Sequence, residues 1–319
     1  MVFTARSLFQ ALVVNTTIVA CLFGAPLAFA SSCSEADVEA LGWLAKMSRS
    51  YREVAYQGVV TFQRGDDLQV MQIARSMEGG QSHELLTRLT GQGASVVRLG
   101  HPLNCTHPGQ QLLLGELQQV PDCGLAKYYR FQVGEGDRIA GRQGVRVQIQ
   151  PRDVYRFGYI LELDRETGLL LRISTLGRGD KILERFQFAD LHLGEPLSPQ
   201  RDVQTVHPAR HPHPDIPAGG PALSASWQVS WLPGGFTPTD AAAAASARRT
   251  YTDGLAVFSV FLEQLSRELQ PGEGVAREGS TTSYTRGMRL AGQPVLVTVV
   301  GEVPVNTARM VADSVRMVH

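Results

Sequence analysis

Glu162 and Asp164 stand two residues apart at the end of an alternating apolar segment, so a strand there puts both carboxylates on one face. Such a pair can serve as general acid and base, but the turn residues that follow predict an exposed pair without that role. His101, His107 and His192 are isolated in the sequence. His207, His211 and His213 lie closer together, yet the prolines between them are poorly suited to converging three rings on one ion. No GxSxG, HExxH, GxGxxG or phosphate-loop pattern occurs. These residues predict no catalytic site, no metal site and no cofactor. The absence of these motifs argues against an enzyme.

The N-terminus carries an address. Arg6 precedes a stretch from Leu8 to Leu27 that is apolar apart from Asn15, Thr16 and Thr17, and Ala28-Phe29-Ala30 then supplies small residues before polar Ser31-Ser32. That order predicts a signal peptide over residues 1–30 and an exported, periplasmic chain. An uncleaved anchor and a lipoprotein box at Ile18-Val19-Ala20-Cys21 are the alternatives. Of the cysteines beyond the signal, Cys105 and Cys123 could close a loop of about eighteen residues, worth roughly 3 kcal/mol in an oxidising compartment, or all three could be free thiols. Thirty basic residues balance thirty acidic ones, which argues against nucleic acid as a partner.

The elements that would position any site follow from periodicity. Ser34 with Asp37 resembles a capping box, and Val38, Leu41, Leu44, Met47 and Tyr51 recur at helical spacing, predicting a helix to about Val54. The period then changes to two. Gln57–Gln63 and Leu68–Arg75 flank Arg64-Gly65-Asp66-Asp67, a hairpin whose register depends on the loop length and is left open. Further strands are expected at 82–89, 94–99, 128–133, 144–150, 159–163, 169–174 and 182–193, with Gly168 at a left-handed turn position. Consecutive antiparallel strands behind one helix predict a meander in an α+β fold.

From His207 to Gly220 the chain reads HPARHPHPDIPAGG, too rich in proline and too polar to fold, so residues 206–222 are expected to be a linker. It separates a large domain over 31–205 from a smaller α+β domain over 223–319. The second domain is expected to hold strands at 227–232, 255–262, 281–288 and 294–300. A last helix is expected from Thr307 to Met317, capped by Asn306 with Met310, Val311 and Val315 inward. The alanine-rich stretch over 241–247 favours helix by propensity but has no apolar face.

Taken together and in order, several strings resemble the RseB/MucB family. They are Tyr56–Gly65 with Met71–Ala74, Arg138–Arg142, Ile149–Tyr159, Leu163–Leu171, Trp231–Phe236, Tyr251–Ser259 and Val299–Pro304. The sequence departs from the family at Ala74, where His is common, in the alanine-rich stretch and in the cysteine pair.

The resemblance implies a large N-terminal antiparallel half-barrel with a helix, similar to LolA and LolB, plus a smaller C-terminal α+β domain. It implies a negative regulator of the extracytoplasmic stress response. Such a protein binds the periplasmic part of an RseA- or MucA-type anti-sigma factor, shields it from site-1 proteolysis, and is released by lipid or lipopolysaccharide. Val60, Phe62, Leu68, Val70, Leu86 and Leu161 are the candidates for an apolar lipid cavity, with ordinary core packing as the alternative. Trp231, Phe236 and Tyr251 are the candidates for a partner surface, with packing inside the second domain as the alternative. Arg152 and Arg156 could meet lipid phosphate or simply face solvent. A homo-oligomer stays open. A lipid or lipoprotein carrier is the competing function, disfavoured because a plain carrier would end near Pro199; a hydrolase with an unrecognised site is the third.

Overall fold

Ser34 opens the first helix by a reciprocal cap. Its hydroxyl accepts from the Asp37 amide, and its own amide donates back to the Asp37 carboxylate (3.2 Å), starting α1 (Glu35–Glu53). The buried face runs through Ala40, Leu44 and Met47, with Leu41 and Tyr51 at its margins. Val38, expected inward, is 61% exposed, because a step of two residues from Ala40 turns it to the opposite side of the helix. This computed structural model describes residues 34–78, 81–90, 96–99, 124–194, 227–239, 247–265 and 272–318. The expected signal peptide, Cys33, Cys105 and Cys123, His101 and His107, the expected linker with its three histidines, and residues 241–246 of the alanine-rich stretch lie outside them.

Among the described residues nine strands follow the helix: β1 (Tyr56–Arg64), β2 (Asp67–Glu78), β3 (Gln81–Arg88), β4 (Val96–Leu99), β5 (Tyr129–Ile139), β6 (Arg142–Pro151), β7 (Gly158–Asp164), β8 (Leu170–Leu176) and β9 (Ile182–Leu193). They form one antiparallel sheet in the order β4-β3-β2-β1-β9-β8-β7-β6-β5. This is two meanders zipped together, because β1 pairs with β9 as well as with β2. Among the described residues the outer strands β4 and β5 are not paired to each other, so the sheet is open rather than a closed barrel. At the β7–β8 turn Gly168 takes φ +81°, and a Cβ there would meet the Lys46 side chain at 2.7 Å where α1 packs down.

The C-terminal body is a second sheet. It contains β11 (Thr237–Pro238), β12 (Arg248–Thr252), β13 (Val257–Gln264), β14 (Glu273–Glu278), β15 (Thr281–Leu290) and β16 (Gln293–Gly301), in the order β11-β12-β13-β16-β15-β14. A short pair, β10 (Trp227–Val229) with β17 (Val315–Met317), sits beside α2 (Val305–Asp313). The expected strand 227–232 is thus shorter. The last helix also differs from expectation: it starts two residues early at Val305, after Pro304, and stops at Asp313, and Asn306 lies inside it. Proline presets the helix entry without a side-chain cap, and pairing of Val315 with Val229 overrides the helical pattern. Met310, expected inward, is exposed because the buried face runs through Thr307, Ala308, Val311 and Ala312 and leaves it on the other side, whereas Val311 and Val315 are buried. Strands β12 and β14 have no alternating apolar signature and were not expected; β14 is an edge strand whose six residues are all exposed.

Replacing Ser34 by Ala is expected to cost about 1 kcal/mol, read as a lower urea midpoint with an unchanged slope.

Candidate functional site

Register fixes which side chains share the face that α1 covers. Direct cross-strand pairing runs one row through Val133, Val147, Leu161, Ile173, Phe186, Phe62 and Gln69. A neighbouring row runs through Phe131, Ile149, Tyr159, Thr175, Glu184 and Arg64. On the β5–β7 half, α1 seals the face: Ala40, Leu44 and Met47 pack with Tyr129, Phe131, Val147, Ile149 and Leu161. On the β1–β3 half, Val60, Met71, Ile73 and Phe188 are buried, but Phe62, Leu86 and Phe186 remain half-buried around them.

Four of the six expected cavity residues, Val60, Phe62, Leu86 and Leu161, therefore share the inner face, although Leu161 is wholly covered. Leu68 and Val70 do not. The β1–β2 turn has two residues, Gly65 and Asp66, so Arg64 pairs with Asp67 and Phe62 with Gln69. Leu68 and Val70 fall on the opposite face, and Leu68 is 55% exposed.

The C-terminal body meets one end of this face through a built joint. Leu255, on the β12–β13 turn, is buried among the α1, β5, β6 and β7 side chains of the N-terminal core. Beside it Asp253 accepts from the Arg156 guanidinium (2.6 Å), the Tyr129 hydroxyl (2.9 Å) and the amides of Leu255 (2.9 Å) and Ala256 (2.8 Å). Arg156 also donates to Asp153 and to the Gly234 carbonyl (2.6 Å), and its side chain is fully buried. Arg156 is thus neither a phosphate contact nor part of a solvated face: three acceptors use its fork. Arg152 instead donates to the carbonyls of Ala126 and Tyr129.

Of the three aromatic residues considered for a partner surface, Phe236 and Tyr251 are buried and Trp231 is half-buried. Trp231 packs edge-on against Tyr155 across the joint, with ring centroids 5.3 Å apart. Phe236 lies under the Arg156 guanidinium (5.2 Å) and Tyr251 stacks on Phe258, both inside the C-terminal core. The joint is completed by Thr307, which donates to the Tyr155 carbonyl, and by Arg64, which pairs with Glu278 at 2.6 Å. The Ser280 amide donates to Glu184 (3.2 Å).

A model of the MucB/RseB N-terminal domain matches residues 39–206, and a model of the MucB/RseB C-terminal domain matches residues 221–316. The chain belongs to the MucB/RseB family. It is 33% identical over 296 residues to the sigma factor AlgU regulatory protein MucB of Pseudomonas aeruginosa, covering 87% of this chain and 91% of that protein. It is also similar to the solved complex of Pseudomonas aeruginosa MucA and MucB, with a TM-score of 0.66, 29% identity and coverage of 88% and 99%. A crystal structure of MucB in complex with MucA(peri) gives the same TM-score, 0.66, with 31% identity over the same shares, 88% and 99%.

In this MucB/RseB chain the carboxylate pair near the β7–β8 turn also departs from expectation. Glu162 and Asp164 are buried, not exposed. Glu162 accepts from Arg146 (2.7 Å), Arg172 (3.1 Å) and the Asp137 amide (3.1 Å). Asp164 takes a forked pair from Arg142 and two bonds from Thr167. The sequence hides this because the bulged end of β5 folds over β7: a Cβ on Gly136 would stand 2.2 Å from Glu162 Oε2. Against the opposing push of burial, Arg142 and Thr167 hold Asp164 below the usual carboxylate range. Arg172 and Arg146 do the same for Asp137. Both groups are saturated with donors, which suits structure rather than proton transfer.

Two outcomes follow. Asp253→Ala leaves Arg156 buried without its carboxylate and is expected to cost roughly 3–5 kcal/mol in chemical denaturation, more than the double replacement Arg156→Met with Asp253→Leu. A depressed carboxylate stabilises the fold above its ordinary range and loses that contribution as pH falls through its native value. Asp164→Asn should therefore flatten the decline of stability between about pH 5 and pH 2 relative to the parent chain.

Proposed function

We propose that this chain is a periplasmic regulator that binds the periplasmic segment of a membrane-spanning, MucA- or RseA-type anti-sigma factor and shields it from site-1 proteolysis. The carrying observation is the similarity to MucB bound to MucA(peri), which extends over both bodies of the chain rather than one. In this reading residues 31–205 form the sensing domain, residues 223–319 the second domain, and residues 1–30 the export signal.

The releasing signal in this reading is an acyl chain of lipid or lipopolysaccharide on the half-buried patch of Phe62, Leu86 and Phe186. Each buried methylene contributes about 0.8 kcal/mol, so a few of them rival the packing of one side chain. The same face continues to Leu255 and Glu184 at the joint, so lipid that spreads along it competes with contacts that hold the C-terminal body. A ligand shifts that balance only by its differential affinity, and a hundredfold preference for the released form supplies about 2.7 kcal/mol.

The test is calorimetric binding of purified residues 31–319 to an anti-sigma periplasmic segment, with and without lipopolysaccharide. Tight binding weakened by lipopolysaccharide is expected. Phe62→Asp together with Phe186→Asp should retain segment binding within a few-fold while making it insensitive to lipopolysaccharide. No segment binding, with lipid still retained and passed to an acceptor, would replace this reading with a lipid carrier.

A further inference from the structure

We infer that Glu302 makes the joint between the two sheets proton-dependent, so that the joint closes more firmly as the surroundings become acidic and loosens as they become alkaline. Glu302 follows the last residue of β16 and is 6% exposed, and its Oε2 has no hydrogen-bond partner. Its amide is fixed by the Val257 carbonyl (2.9 Å) within the C-terminal sheet, and the Gly301 before it pairs with Thr282, two residues from the Ser280 amide that reaches Glu184. The groups facing it come from three elements: Glu184 on β9, Asp253 on the β12–β13 turn and Tyr159 on β7. The hydroxyl of Tyr159 is likewise buried without a partner.

The nearby cations are committed elsewhere. Arg156 serves Asp253, Asp153 and the Gly234 carbonyl. Arg64 pairs with Glu278 and stands 3.8 Å from Glu184. Among the described residues no ion pair reaches Glu302. Asp253 has four donors and Glu184 has the Ser280 amide, whereas the free oxygen of Glu302 has none.

An ionised carboxylate buried without a cation or donor is strongly disfavoured. Burial first, then the charges of Glu184 and Asp253, push the Glu302 carboxyl well above its usual range. The closed joint therefore holds Glu302 neutral, and opening it lets water in and the proton out. The sign follows from linkage: the closed state binds one more proton than the open one between the ordinary carboxylate range and the raised native value. Closure therefore weakens as pH rises through that window, by up to about tenfold per pH unit. This device is independent of whether the chain binds an anti-sigma segment.

The experiment is amide hydrogen exchange of the full exported chain between pH 5.5 and 8, corrected for intrinsic rates and read at Leu255, Ala256 and Ser280. The parent chain should lose protection at these amides as pH rises, with a slope approaching tenfold per unit. Glu302→Gln should hold protection constant across the range, and Glu302→Met should do the same if the amide disturbs packing. A flat profile in the parent chain overturns the inference, as does an unchanged slope in both variants.

Discussion

A guanidinium buried without exposure can persist only if its fork is matched by acceptors, and Arg156 meets that condition with groups drawn from both halves of the chain. Asp153 is local and orients the side chain, while Asp253 and the Gly234 carbonyl belong to the C-terminal body. Asp253 is itself over-determined by Tyr129 and two backbone amides. Moving either body would strand a buried charge, so the pair specifies one mutual arrangement more than it adds net stability. The apolar contacts around it, Leu255 in the N-terminal core and Trp231 against Tyr155, supply the burial that makes closing worthwhile.

That arrangement ties the inner face of the large sheet to the C-terminal body. The row Phe131, Ile149, Tyr159, Thr175, Glu184 changes from apolar to charged along its length, and its charged end is where Ser280 and Arg64 join the two bodies. Helix α1 covers half of the face, leaving Phe62, Leu86 and Phe186 half-buried on the other half. The open half adjoins the joint through β9, which carries both Phe186 and Glu184.

Much of this was legible from local pattern. The capping box at Ser34, the turn at Gly168 and the span of β9 were readable because each depends on neighbours in sequence. The facing of Leu68 and Val70 was not, since one residue more or less in the turn moves both to the other side of the sheet. Pairing of β1 with β9, and of Arg156 with Asp253 across 97 residues, leaves no periodic trace. The same is true of Glu162, buried only because a bulged strand arches over it. The family resemblance nonetheless carried a signal of the joint: the string around Ile149–Tyr159 supplies Asp153, Tyr155 and Arg156, and the string Tyr251–Ser259 supplies Asp253 and Leu255. Phe236 and Tyr251 read as interface aromatics because they stand near a turn and a strand start, but the interface Phe236 serves is internal.

The most direct test of this account is amide exchange at Leu255, Ala256 and Ser280 during titration of the complex between this chain and an anti-sigma periplasmic segment with lipopolysaccharide. The account predicts that these amides lose protection over the same lipopolysaccharide concentrations that release the segment. Release of the segment while the three amides keep their protection would contradict it, because the signal would then have bypassed the joint.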